Sequence, residues 1–267
     1  MKIKILLLAA LAALCLTGCA ESSLPMTELG YVDVSQLPVA TAAVNPIRGQ
    51  ALQETAVSLG AQGALAWRAN QINTMLDQQY SNLDHIFNFN QLMLPHNVLP
   101  PVLVQSSGDL TQDDADTLRL SDKTYKILAP ARFVTTPPTW RDYLWLNFQK
   151  PAIPDQTLLP QNQQEAVIWN QFLKQGWQQG LDQANQIFSA NLNRLKRDYT
   201  GMILYRQLYA QHMVSAPFVA QADLGITGNS KELRINDQIL RITAHSQLQT
   251  NANEWTPVLQ NQQQNND

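Results

Sequence analysis

The chain has 267 residues, 45% hydrophobic and 15% charged, with 18 basic and 21 acidic side chains and a formal charge of −3. Its polarity comes largely from amides, 31 Gln and 20 Asn. With no clustered Lys/Arg stripe, it is ill suited to direct nucleic-acid binding, because phosphate contacts need basic side chains in register. Two cysteines are too few for a disulfide-stapled scaffold or a multi-thiolate metal site.

Residues 1–18 read as a secretory leader. Lys2 and Lys4 form a basic start, and residues 5–16 are twelve consecutive apolar residues. That run falls short of the roughly 20 residues a spanning helix needs. It ends in Leu16-Thr17-Gly18-Cys19, which resembles the lipobox of bacterial lipoproteins and implies cleavage before Cys19 and acylation of Cys19. Two or more acyl chains hold a protein on a bilayer far more firmly than one, at about 0.8 kcal/mol per buried CH₂. Cys15 leaves with the leader, and loss of Lys2 and Lys4 takes the formal charge from −3 to −5. Ala20 stands where an Asp commonly retains such proteins in the inner membrane, so the expected address is the periplasmic face of the outer membrane.

Residues 19–45 read as a lipidated tether, with Pro25, Pro38 and no sustained period. Residues 46–256 are expected to form a single α+β domain, mainly helical, with two long packed helices and a small, mostly antiparallel β-sheet. Residues 257–267 end in QNQQQNND and are expected to be disordered.

Asn45-Pro46 predicts the N-cap and first position of a helix running from 47 to about 80. Ser81 and Asp84 suggest a further capped turn reaching 94. Short strands are expected at 102–104, 118–120, 125–128 and 132–134, with a turn at Ser121-Asp122. Thr135-Thr136-Pro137-Pro138 must break any ladder. Thr139 and Asp142 give a capping-box variant that starts an aromatic helix over 140–148. Spacings of three and four predict a second long helix from 162 to about 198, with Gly201 as a break before more helix to 213. The end of the domain reads as strands at 218–226, 233–235 and 239–243, with turns at Gly228-Asn229 and Asn236-Asp237.

The sequence carries few motifs for chemistry. There is no phosphate loop, dinucleotide fingerprint or GxSxG elbow. His85, His96, His212 and His245 lack metal-ligand spacing. No cofactor, metal or catalytic residue is assigned. Gly176, Gly180 and Ala184 form a small-residue seam, and Ala56, Gly60 and Gly63 a second. Interior helix glycine costs roughly 0.5–1 kcal/mol relative to Ala, so such seams mark close helix packing or contact with another subunit. Trp140, Tyr143, Leu144, Trp145 and Phe148 crowd one short segment, either as core or as an interface anchor.

Several long strings resemble the DotC-type lipoproteins of type IVB secretion systems and the related transfer lipoprotein of I-type conjugative plasmids. They are LQETAVSLGAQGALAWRAN (52–70), NLDHIFNFNQLMLPHNVLPPVL (82–103) and LRLSDKTYKILAPARFVTTPPTWRDYLW (118–145). Shorter ones follow: Gly176-Trp177 with Asp182-Gln183-Ala184-Asn185, GMILYRQL (201–208), DLGITG (223–228) and RINDQILRITA (234–244). They are collinear over roughly 50–255, whereas the tether and tail do not match. The resemblance implies a non-enzymatic outer-membrane lipoprotein, present in many copies in a large ring assembly. Its implied partners are a DotD-like lipoprotein and a DotH-like channel protein, which it helps place in the outer membrane. Only Cys19 carries over as a functional residue, as the acylated position. A glycan-binding lipoprotein or a peptidoglycan hydrolase is the alternative, and the hydrolase would need a placed carboxylate pair. Glu54 and Glu165 instead sit near expected helix starts, where the macrodipole favours them.

Overall fold

The computed structural model describes residues 31–39 and 43–256. The leader, Cys19, most of the tether and the tail lie outside the described residues. Asn45 opens α1 (Pro46–Gln78). Its Oδ1 accepts the Ile47 amide at 2.9 Å, and Pro46 occupies a position whose N–H would have no helical partner. Asn162 opens the second long helix (Gln163–Ala210) in the same way, accepting the Glu165 amide at 2.9 Å. Between them lie the short α2 (Tyr80–Ile86) and α3 (Trp140–Leu144), so the long C-terminal helix is α4.

The described residues divide into two compact units, one formed by those up to Met75 with Leu146–Ile187, the other by Leu76–Trp145 with those from Phe188 on. Two of the three boundaries, after Met75 and after Ile187, fall inside α1 and α4, and the third follows α3. In the first unit α1 and α4 pack along apolar stripes. Leu52, Ala56 and Leu59 meet Trp169 and Leu173, with Val32, Leu159 and Phe172 against them. The spacing in both stripes is the three-and-four pattern of a core-facing helix. Trp67 and Trp177 extend the contact, with ring centroids 5.7 Å apart. At the helix starts the Glu165 carboxylate takes both Arg48 Nε (2.7 Å) and Nη2 (2.8 Å). The same guanidinium donates to the carbonyls of Thr157 and Leu159. This bidentate pair holds the Glu165 carboxyl below the usual range, chiefly through the Arg48 hydrogen bond.

The amide-rich composition finds a structural use here. Asn170 Nδ2 donates to Val32 O at 2.8 Å while its Oδ1 accepts the Val32 amide at 3.2 Å. Asn73 clasps Leu146 likewise, at 2.7 and 3.1 Å. Each side chain does what a neighbouring strand would do, satisfying a backbone that has no ladder. Gln163 adds its side-chain amide to Leu37 O and its backbone N–H to Pro38 O. Residues 31–39 are thereby strapped along α4.

The second unit carries three antiparallel two-stranded pieces: β1 (Val98–Leu99) with β4 (Arg132–Phe133), β2 (Val102–Gln112) with β3 (Leu118–Ala129), and β5 (Phe218–Asn229) with β6 (Glu232–Ala244). The class is α+β, with two long packed helices and small antiparallel sheets. Several local expectations change. Ser121-Asp122 is not a turn but lies mid-strand, with Ser121 opposite Asp109. The turn sits at 113–117, where the Asp114 carboxylate accepts the Asp116 amide. Asn236-Asp237 also stays inside a strand. Asn236 takes φ 56° and Gly225 φ 72° where the register shifts, so the pair makes a bulge rather than a hairpin end. The hairpin turns at the other expected place, directly after Gly228-Asn229, where Asn229 Oδ1 accepts the amides of Lys231 and Glu232. Gly201 does not interrupt α4: a methyl there would lie 2.6 Å from Leu103 O, so the glycine admits the β2 backbone. The aromatic helix is five residues long, not nine, and Ser81 lies within α2 rather than capping it.

Candidate interaction surfaces

The small-residue seam lies against α1. An added methyl at Gly176 would stand 2.2 Å from Val57 O, one at Gly180 2.2 Å from Ala61 O, and one at Gly60 2.4 Å from Leu173 O. These are backbone atoms, so the two helices approach as closely as their main chains permit. Ala184 is fully buried on the same stripe.

The aromatic segment splits. Trp140 is 1% exposed, and its Nε1 donates to Asp84 Oδ1 at 2.5 Å. The Asp142 carboxylate accepts the Thr139 amide at 2.6 Å and fixes the start of α3. Tyr143 stacks on Phe89 with centroids 5.8 Å apart. Burial, then the nearby Asp198 carboxylate, pushes the Tyr143 hydroxyl up to about 12. Trp140, Tyr143 and Leu144 are therefore core. Trp145, one residue beyond α3, is 43% exposed, and Phe148 is also exposed.

Sequence reasoning missed an exposed apolar surface on the two long hairpins. In β2–β3, Leu110 stands directly opposite Leu120, and they are 61% and 73% exposed. In β5–β6, Ile226 stands directly opposite Ile235, at 70% and 68%. Leu118, Leu128, Leu224, Leu233 and Ile239 are exposed as well. Among the described residues each hairpin is only two strands wide, with no further strand on either edge. A two-stranded ribbon of this length is at best marginal alone in water. Open edges and apolar cross-strand pairs are what another protein chain can pair with or cover. The detectable signal was the length of alternation on each side of a turn, which the misplaced turns at 121–122 and 236–237 had divided.

Little else offers chemistry. An open groove of about 360 Å³ is lined by Glu54, Thr55, Ser58, Leu59, Gln62, Pro151, Ala152 and Pro154. Among the described residues no group of three or more His, Cys, Asp or Glu is placed to hold a metal. Among them, too, no helix is long and apolar enough to cross a membrane.

A family model described as type IV secretory system, conjugal DNA-protein transfer, matches residues 46–257. The chain belongs to that family. The match covers both long helices and all three strand pairs, and it agrees with the resemblance to DotC-type proteins. A comparison with curated proteins found no match. The chain is thus a component of a type IV secretion or conjugal-transfer complex of the cell envelope.

Proposed function

We propose that the chain is a non-enzymatic assembly lipoprotein, acylated at Cys19 and held on the periplasmic face of the outer membrane. There it helps place a DotH-like channel component together with a DotD-like lipoprotein, in many copies around a ring. The observation that carries the reading is the pair of hairpins, two strands wide among the described residues, with exposed, directly opposed Leu and Ile residues. Such surface is costly in a solitary soluble protein and ordinary in an assembly part. Family membership supplies the machine; the lipobox-like Leu16-Thr17-Gly18-Cys19 supplies the anchor. The test is affinity purification of the complex from detergent-solubilised envelopes carrying Leu120→Asp or Ile226→Asp. Either change places a charge in the hairpin surface without touching the core. Loss of the channel component from the purified complex, with unchanged melting of the variant chain, supports the reading. Full retention of the channel component with both variants together refutes the hairpins as its docking surface.

A further inference from the structure

The strap at residues 31–39 limits how far the first unit can stand from a lipid anchor. We infer that the end of this unit built from Val39, the first turn of α1 and the 156–158 turn rests directly on the bilayer surface. The inference deepens the proposed acylation of Cys19 and rests on it.

The chain length sets the reach. Cys19 precedes Tyr31 by twelve residues, which span at most about 43 Å when fully extended. Val32 is then clasped by Asn170 on both its N–H and its carbonyl. Without that clasp and the Gln163 contacts at Leu37 and Pro38, the unanchored chain would run on to Asn45 and the reach would roughly double, to about 90 Å. Asn170 lies seven residues into α4 from Gln163, about 10 Å along the axis. The start of α4 is therefore well within reach of the membrane.

The exposed side chains select which end meets it. Ile47 is 81% exposed, Val39 73% and Leu158 40%. Hydrogen bonds gather their chain neighbours at one place: Pro38 O accepts the Gln163 amide, and Arg48, next to Ile47, donates to Thr157 O and Leu159 O on either side of Leu158. Three large apolar groups thus cluster around the α1 and α4 starts, on the unit that the tether enters. The charged residues of these segments are Asp33, Arg48 and Asp155. Arg48 is engaged by Glu165, while Asp33 and Asp155 accept from Ser35 and Thr157. The contact is accordingly apolar, with the acyl groups and the glycerol region of the lipid, rather than a basic grip on anionic headgroups.

The acylated full-length protein tests this. Its leader carries away Cys15 and acylation consumes the Cys19 thiol, so an introduced cysteine is the one available for labelling. Val39→Cys, Ile47→Cys, Leu158→Cys and, as reference, Gln178→Cys would carry a fluorophore. The protein would be bound to phosphatidylethanolamine vesicles containing a spin-labelled lipid quencher. Gln178 is exposed on α4, fifteen residues from its start, or about 22 Å along the axis. The expected result is quenching several-fold stronger at 39, 47 and 158 than at 178, unchanged by high salt. Asn170→Ala should reduce the contrast by freeing the strap. Equal quenching at all four sites, or quenching that high salt abolishes, overturns the inference. Vesicle flotation separates the two claims. A chain that does not float refutes acylation and the resting end together, whereas one that floats with equal quenching refutes the resting end alone.

Discussion

Alanine at Gly180 and at Gly49 should move stability in opposite directions. Both glycines lie inside long helices, where replacement by Ala ordinarily gains up to about 1 kcal/mol in helix propensity. At Gly49 the new methyl meets only Val44 Cγ1 at 3.7 Å, an ordinary contact, so most of that gain should survive. At Gly180 it would stand 2.2 Å from Ala61 O and 2.8 Å from Ala64 Cβ. Ordinary separations between such atoms are about 3.5 Å. The carbonyl belongs to α1 and cannot swing aside, so the helices must part by roughly an ångström along a stripe that also contains Gly176 and Gly60. Overpacking of this kind costs about 1–3 kcal/mol. Net of propensity, Gly180→Ala should lose about 1–2 kcal/mol and Gly49→Ala gain about 0.5–1 kcal/mol. For a domain of this size each kcal/mol corresponds to about 2–4 °C in Tm. Thermal melts of the unacylated chain would read a drop for one and a rise for the other, with Gly180→Leu lower still. A Gly180→Ala protein melting at or above the parent would refute the close approach of α1 and α4.

Replacing Arg48 by Met should cost about 2–3 kcal/mol at pH 7, because it strands the buried Glu165 carboxylate, although the 30% exposure of Arg48 softens the loss. Since the folded Glu165 carboxyl is held below its unfolded value, its stabilisation is present at neutral pH and fades as pH falls through about 4.3 and on toward the lower folded value. Urea melts should therefore show a weaker acid dependence in Glu165→Gln than in the parent. Leu120→Asp and Ile235→Asp should change stability by no more than about 0.5 kcal/mol in denaturant melts, as expected for exposed positions. Cys19→Ser should abolish fatty-acid labelling and membrane flotation while leaving the circular dichroism spectrum and melting of the soluble protein unchanged.

The helical frame and the turn at Gly228-Asn229 were legible in the sequence, and the strand lengths and the other connections were not. Asn45-Pro46 and the three-and-four spacing of α4 are local signals whose effect is decided within a turn or two. Strand registers are decided by cross-strand partners about a dozen residues away, beyond the two residues a turn motif reads, so Ser121-Asp122 and Asn236-Asp237 looked like turns although long antiparallel pairing carries straight through both. Gly201 shows the same limit. A lone glycine in a helical pattern reads as a break unless the strand backbone it admits is known. Amide pairing was invisible for a similar reason. A high count of Asn and Gln shows polarity, but only the fold shows Asn170 and Asn73 clasping Val32 and Leu146. The exposed leucines and isoleucines of the hairpins escaped notice because alternation suggests a buried face, and here two-stranded ribbons leave those faces uncovered.

Density-gradient fractionation of envelopes from cells with and without the chain tests the proposed placement of a channel component in the outer membrane. The DotH-like protein should sediment with outer-membrane markers when the chain is present. It should move to the inner-membrane or soluble fractions when the chain is absent or carries Leu120→Asp and Ile226→Asp together. An unchanged outer-membrane position of the DotH-like protein in cells lacking the chain would contradict the placement role.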